Sequence, residues 1–133
     1  MIASDIMTRK VITIHPEASV QEAAQLLDQY RISGLPVLDA SGDLIGIVTE
    51  ADIISKVNRY GLLDTDGLRV SDIMSRAVTT VSEETPVSDI AALLTERKIK
   101  RVPVVRQDRL VGIVSRGDIV HAVALGHLII RQW

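Results

Sequence analysis

Apolar positions along this chain follow two spacings, and the order of the spacings repeats. Residues 11–14 (VITI) and 78–81 (VTTV) read as short strands. Each is followed by a segment whose apolar residues recur three and four apart. Val20, Ala23, Ala24 and Leu27 share one helical face, as do Val87, Ile90, Ala91 and Leu94. The first helix opens on Ser19 and Glu22, at capping-box spacing. For the second, Thr85 is the expected N-cap, with Pro86 in the first turn. Two short apolar runs come next, LPVLD and LIGIVT, separated by the turn ASGD, and read as paired strands. A further helix is expected after Thr49 and, in the later half, after Ser115. The pattern is β-α-β-β-α twice over, an α+β chain.

The two halves are copies. SDIM stands at 4–7 and at 71–74, an offset of 67, at which Arg9 matches Arg76, Thr13 matches Thr80, and Pro36 matches Pro103. One residue is lost in the turn near Gly42. At the resulting offset of 66, Gly46, Ile47, Val48 and Asp52 recur as Gly112, Ile113, Val114 and Asp118. The repeat sets expected boundaries at 1–57 and 69–126, with a linker at 58–68 and a tail at 127–133. A unit of about sixty residues buries little surface alone, so two are expected to pack through their sheets around a pseudo-twofold axis. In the tail, Leu128, Ile129, Ile130 and Trp133 are expected to cover the core or a dimer surface.

Composition narrows the class. The chain of 133 residues has no Cys, which removes disulfides, thiolate metal sites and cysteine nucleophiles. Aromatic residues make up 2%, so the core is aliphatic. No apolar run approaches the roughly 20 residues needed to span a bilayer. MIASDIMTRK lacks the apolar core of a signal peptide, and a soluble cytoplasmic protein is expected. An aliphatic module with amphipathic outer helices leaves an apolar patch that symmetric pairing covers, so a homodimer is expected. The net charge of −2 conceals an imbalance. Residues 1–66 carry 5 Lys/Arg against 10 Asp/Glu, and residues 67–133 carry 10 against 7.

The best-kept part of the repeat is the frame GIVTEAD (46–52) and GIVSRGD (112–118). Thr49 to Asp52 and Ser115 to Asp118 have capping-box spacing, so the frame can serve only to start a helix. The same geometry suits a ligand. A helix start after a strand offers free amides and the positive end of a dipole to an anion. The Thr49 or Ser115 hydroxyl can donate to phosphate, and the Asp52 or Asp118 carboxylate can accept from a sugar diol. Both readings stay open on the residues alone.

No catalytic or metal constellation emerges. His15, His121 and His127 lack ligand spacing, and no Ser-His-Asp order or phosphate-binding glycine loop is present. The run RKIKR at 97–101 lacks interleaved aromatics, so nucleic acid is not expected as a partner.

Taken in order, SDIM, the amphipathic helix, GLPVL and GIVTEADI resemble a cystathionine-β-synthase-type (CBS) domain. Two in tandem resemble a Bateman module, over residues 4 to about 124. The resemblance implies a regulatory module, and without a catalytic or metal constellation it is expected to be non-enzymatic and to require no cofactor or metal. Such a module senses AMP, ADP, ATP, S-adenosylmethionine or NAD in clefts between its two units. It implies dimers and regulation of an attached protein or of a partner in trans. It carries ribose binding onto Asp52 and Asp118 and phosphate contact onto Thr49 and Ser115. The adenine falls near Thr13 and Ile14, or Thr80 and Val81, with Pro36 and Pro103 beside it; plain core is the competing reading for both prolines. Lys100 and Arg101 stand where many family members place phosphate-binding cations, and Arg116 stands in the second frame where the first has Glu50. The second cleft is therefore expected to prefer phosphorylated ligands. The alternative is a structural dimerisation module with vestigial, unoccupied pockets.

Overall fold

The computed structural model describes residues 1–60 and 67–128. Most of the linker, and Ile129, Ile130 and Trp133 of the tail, lie outside the described residues. In chain order the elements are α1 (Ala3–Ile6), α2 (Val20–Tyr30), β1 (Gly34–Leu38), β2 (Leu44–Thr49), α3 (Glu50–Tyr60), α4 (Val70–Ile73), α5 (Val87–Glu96), β3 (Arg101–Arg106), β4 (Arg109–Ser115) and α6 (Arg116–Ala124). The chain is α+β.

Contacts divide the chain into two compact units, and these cut across the sequence repeats. One is Ile12–Val78; the other joins Met1–Val11 to Thr79–Trp133. The first SDIM therefore packs with the second repeat, and the second SDIM with the first. In the unit 12–78 the core holds Leu27, Leu35, Val37 and Val48 together with Val70, Ile73 and Met74 of the returning arm. In the other unit Ala3 and Met7 of the N-terminal arm join Ile90, Leu94, Val102, Val104 and Val114. Both cores are aliphatic, as the composition requires.

Each unit is built on one antiparallel hairpin, β1 with β2 and β3 with β4. Gly34 lies opposite Thr49, and Arg101 opposite Ser115. A bulge follows Val37 in one hairpin and Val104 in the other. The turns differ, which accounts for the lost residue. In the first, Asp39 Oδ1 accepts from the N–H groups of Ser41 (2.9 Å) and Asp43 (3.0 Å), and Gly42 takes φ 87°. The second is closed by Gln107 (φ 50°) and Asp108 (φ 67°), a pair of left-handed residues that suits a tight two-residue turn.

The segments VITI and VTTV give less than full strands. Ile14 makes one parallel bridge to Val37, and Val81 one to Val104. Prolines stop the ladder. Ile14 N–H donates to Pro36 O (3.1 Å), and Leu38 N–H donates to Ile14 O (3.0 Å). The next donor toward the N-terminus would be the nitrogen of Pro36, and toward the C-terminus that of Pro16; neither carries a hydrogen. Pro103 imposes the same stop on VTTV, opposite Thr79.

Helix starts follow the repeat more closely than the sequence suggests. Ser19 Oγ accepts from Glu22 N–H at 3.0 Å, one half of the expected box. α5 begins one residue later than expected, with Pro86 as its N-cap, at the position aligned with Ser19. Thr85 is not the cap, because its hydroxyl turns back to accept from Ser82 N–H at 3.0 Å.

Candidate functional site

Both frames fold as helix starts at the end of a hairpin. Thr49 N–H (2.8 Å) and Thr49 Oγ1 (3.0 Å) donate to Asp52 Oδ2, while Asp52 N–H donates back to Thr49 Oγ1 at 3.2 Å. In the other unit Ser115 N–H (2.8 Å) and Ser115 Oγ (3.1 Å) donate to Asp118 Oδ2, and Asp118 N–H returns to Ser115 Oγ at 3.3 Å. Asp52, Asp118, Thr49 and Ser115 are all half-buried. The capping box is thus real in both copies, and it uses one carboxylate oxygen of each aspartate. The other oxygen faces outward from the box.

There the copies part. Thr8 Oγ1 donates to Asp118 Oδ1 at 3.0 Å, a contact spanning 110 positions of chain. Thr8 reaches it because the N-terminal arm lies along β4: Thr8 N–H donates to Ile113 O (2.8 Å), and Ile113 N–H donates to Thr8 O (2.9 Å). Ser75 lies along β2 in the same way, exchanging two bonds of 2.9 Å with Ile47. Among the described residues, however, nothing donates to Asp52 Oδ1. Thr8 was not a candidate on sequence grounds. Its signal was present in the joint repetition of SDIM and the frame, but nothing local to either motif says that they meet across copies.

The cationic candidates flank the second frame along the backbone. Arg101 pairs with Ser115 across the hairpin, and Arg116 N–H donates to Lys100 O at 3.1 Å. Lys100 and Arg116 are exposed and Arg101 is half-buried. The first frame has the same backbone junction, Glu50 N–H to Ser33 O at 3.0 Å, with Gly34 opposite Thr49. It is acidic where the second is basic.

The adenine candidates divide by exposure. Pro36 and Pro103 are fully buried, and Ile14 and Val81 are 6% and 7% exposed, so little of their surface meets solvent. Thr13 is half-buried and Thr80 exposed. Thr80 and Val81 line an open groove of about 710 Å³ with Asp89, Leu93 and Glu96. A second, of about 560 Å³, lies between α5 and α6 and includes Lys98, Arg116 and Ile119. Neither of these grooves reaches Ser115 or Asp118. Among the described residues no group of His, Asp or Glu is placed to hold a metal ion, and no helix is long and apolar enough to cross a membrane.

Comparison with known proteins places the chain in a family. The CBS domain family matches it twice, over residues 3–59 and 70–125, and the chain belongs to that family as a tandem pair. It is 35% identical over 116 residues to the CBS domain-containing protein YhcV of Bacillus subtilis, covering 86% of this chain and 80% of that one. Other relatives are longer, and the chain spans 62%, 22% and 23% of three of them, the last two being enzymes. Among solved structures, the CBS domain pair of protein MJ0100 in complex with 5'-methylthioadenosine and S-adenosylmethionine aligns at TM-score 0.84, with 33% identity over 95% of this chain and 98% of that one. CBSX2 of Arabidopsis thaliana in complex with AMP aligns at TM-score 0.85, with 32% identity over 96% of this chain and 98% of that one.

Proposed function

We propose that this chain is a cytoplasmic, non-catalytic module that binds adenosine-containing ligands and relays their presence to an effector protein in trans. The observation that carries the reading is the outward carboxylate oxygen of each capping aspartate. Its box partners already hold the other oxygen in place, so the aspartate is fixed to receive a sugar hydroxyl without reorganising. Support comes from relatives of about one-third identity solved with AMP and with S-adenosylmethionine. Thr13, Ile14, Thr80 and Val81 are assigned to the base, with Pro36 and Pro103 beside it. Ser115 and Thr49 are assigned to the phosphate side. At the second frame Lys100, Arg101 and Arg116 draw phosphate, so AMP, ADP or ATP belongs there. The first frame, with Glu50, suits a ligand without phosphate, such as S-adenosylmethionine. The chain's match to minor portions of longer enzymes is consistent with a module that serves a separate activity.

Calorimetric titration tests this. Hydrogen bonds to charged groups are worth about 1.5–3 kcal/mol, roughly tenfold or more in affinity. Asp118→Ala is expected to weaken AMP by that factor and Asp52→Ala far less. Lys100→Ala is expected to weaken ATP more than adenosine. Loss of stability by both aspartate variants with no selective loss of binding would leave the frames as helix caps alone.

A second reading has its own observation. Ile54 and Val120 occupy the same position of the repeat, and each is 66% exposed. An apolar residue exposed twice at one aligned position fits self-association through α3 and α6, and we assign these helices to a homodimer contact.

A further inference from the structure

We infer that Thr8 makes the two frames unequal in how many sugar hydroxyls they accept: two at Asp52 and one at Asp118. The inference rests on the proposed reading of both aspartates as sugar-binding groups and adds to it a residue, Thr8, from outside either frame.

The argument is a count of acceptor positions. An ionised carboxylate has about four, two on each oxygen. In both frames Oδ2 takes two donors from the capping residue, its N–H and its hydroxyl, and is filled. What remains for a ligand is Oδ1. At Asp52 both of its positions are open among the described residues, enough for the two hydroxyls of a vicinal diol. At Asp118 one is taken by Thr8 Oγ1, 3.0 Å away, and a single position is left. The aligned residue in the other unit is Ser75, whose backbone lies along β2 as that of Thr8 lies along β4, yet Asp52 Oδ1 receives no bond from it. The difference between frames thus sits in one side-chain hydrogen bond, made by Thr8 and not by Ser75.

The chemistry that follows differs by frame. At Asp52, removing either hydroxyl of a ribose removes a charge-assisted hydrogen bond, about tenfold in affinity. At Asp118, only one of the two hydroxyls is held, so one of the two deoxy forms binds as the parent does. The second frame discriminates ribose from deoxyribose weakly and relies on its cations; the first reads the intact diol.

The test uses the full chain by calorimetry, with AMP and its 2'-deoxy and 3'-deoxy forms at the Asp118 frame and adenosine and its 2'-deoxy and 3'-deoxy forms at the Asp52 frame. Asp52→Ala reports the Asp118 frame alone, and Asp118→Ala reports the Asp52 frame alone. At the Asp52 frame both deoxy forms are expected to bind about tenfold more weakly than adenosine. At the Asp118 frame one deoxy form is expected to match AMP within about twofold. Adding Thr8→Val to Asp52→Ala keeps the backbone pairing to Ile113 and removes the hydroxyl, so both deoxy forms are then expected to lose about tenfold. Thermal melts of each variant, compared with the parent, show that binding changes are not unfolding. The inference is overturned if both deoxy forms lose affinity at the Asp118 frame with Thr8 present, if one matches adenosine at the Asp52 frame, or if Thr8→Val changes nothing. Absence of AMP binding by the unmutated chain instead overturns the functional reading and the inference with it.

Discussion

A side chain on Gly112 would collide with Met7: a Cβ built there stands 2.5 Å from Met7 Sδ, 2.9 Å from Met7 Cγ and 3.1 Å from Thr8 O. Gly46 stands in the same relation to the second arm, at 2.8 Å from Met74 Sδ and 2.9 Å from Ser75 O. The glycine that opens each frame is therefore the seat of the methionine that ends SDIM in the other copy. Gly112→Ala and Gly46→Ala are both expected to destabilise by about 1–3 kcal/mol through overpacking. A methionine side chain can move and a backbone carbonyl cannot. Met7→Ala should thus offset much of Gly112→Ala, giving a double variant well below the sum of the singles. Met74→Ala should offset less of Gly46→Ala. Urea denaturation of the two double-mutant cycles measures both couplings.

The frames as helix caps give a stability prediction separate from ligand binding. Ser115→Ala and Thr49→Ala each remove a hydroxyl that accepts from an orphan N–H, and each is expected to cost about 1 kcal/mol. Gly117 lies in the first turn of α6 with its nearest neighbour, Ser115 Oγ, 3.6 Å from a built Cβ. The aligned residue in the other frame is Ala51. Gly117→Ala is expected to stabilise by about 0.4–1 kcal/mol, raising the melting midpoint while Ser115→Ala lowers it.

These contacts show which parts of the molecule the sequence exposes. Helices, hairpins and caps are written in spacing and in residue type, so α2, both hairpins and both boxes are where the pattern puts them, and the start of α5 is one residue away. The arms are not. SDIM reads as the start of its own copy because sequence order is all that a repeat reveals; the pairing of Met7 with Gly112 depends on steric fit between segments about a hundred residues apart. The short strands fail for a different reason. Pro16, Pro36 and Pro103 were visible, but what they interrupt is a ladder whose partner is nonlocal. The left-handed helix ends at Arg31 and Lys98, both φ 53°, were equally hidden, since neither is glycine. At the candidate site, the sequence reaches the pairing of Ser115 with Asp118 and the basic residues next to them in the chain. It does not reach Thr8, whose role is defined by the arm's position.

The Glu83–Arg106 pair ties the stability of the second unit to pH. Arg106 Nε and Nη2 donate to the two carboxylate oxygens of Glu83 at 2.6 and 2.9 Å. The hydrogen bond from Arg106, aided by its charge and that of Arg9 and opposed by desolvation, holds the Glu83 carboxyl below the usual glutamate range. A carboxyl depressed in the folded state stabilises above its unfolded value, and that contribution disappears as pH falls through the folded value. Glu83→Gln is therefore expected to lower stability at neutral pH, with the gap to the parent closing on acidification. The pair is at the surface, so added salt should narrow the gap as well. Melts over a pH and salt grid test this; a gap constant in pH would assign the effect of Glu83→Gln to something other than the ion pair. In the first copy Pro16 and Asp39 stand at the aligned positions, so this dependence belongs to one unit only.

The duplicated exposure of Ile54 and Val120 predicts how association should fail. Each lies two residues beyond its capping aspartate, on the helix that the frame begins, and each leaves 66% of its surface in water. Burying one such side chain against a mate is worth about 1.5–3 kcal/mol, and in a symmetric contact each substitution counts on both partners. Ile54→Ser and Val120→Ser remove that gain without opening a core, so monomer stability should change by no more than about 0.5 kcal/mol. The single variants are expected to weaken self-association by one to a few orders of magnitude. The double variant should run as a monomer in light scattering at concentrations where the parent is dimeric. A parent that is itself monomeric at micromolar concentration, or a double variant that dimerises as the parent does, would remove α3 and α6 from the interface.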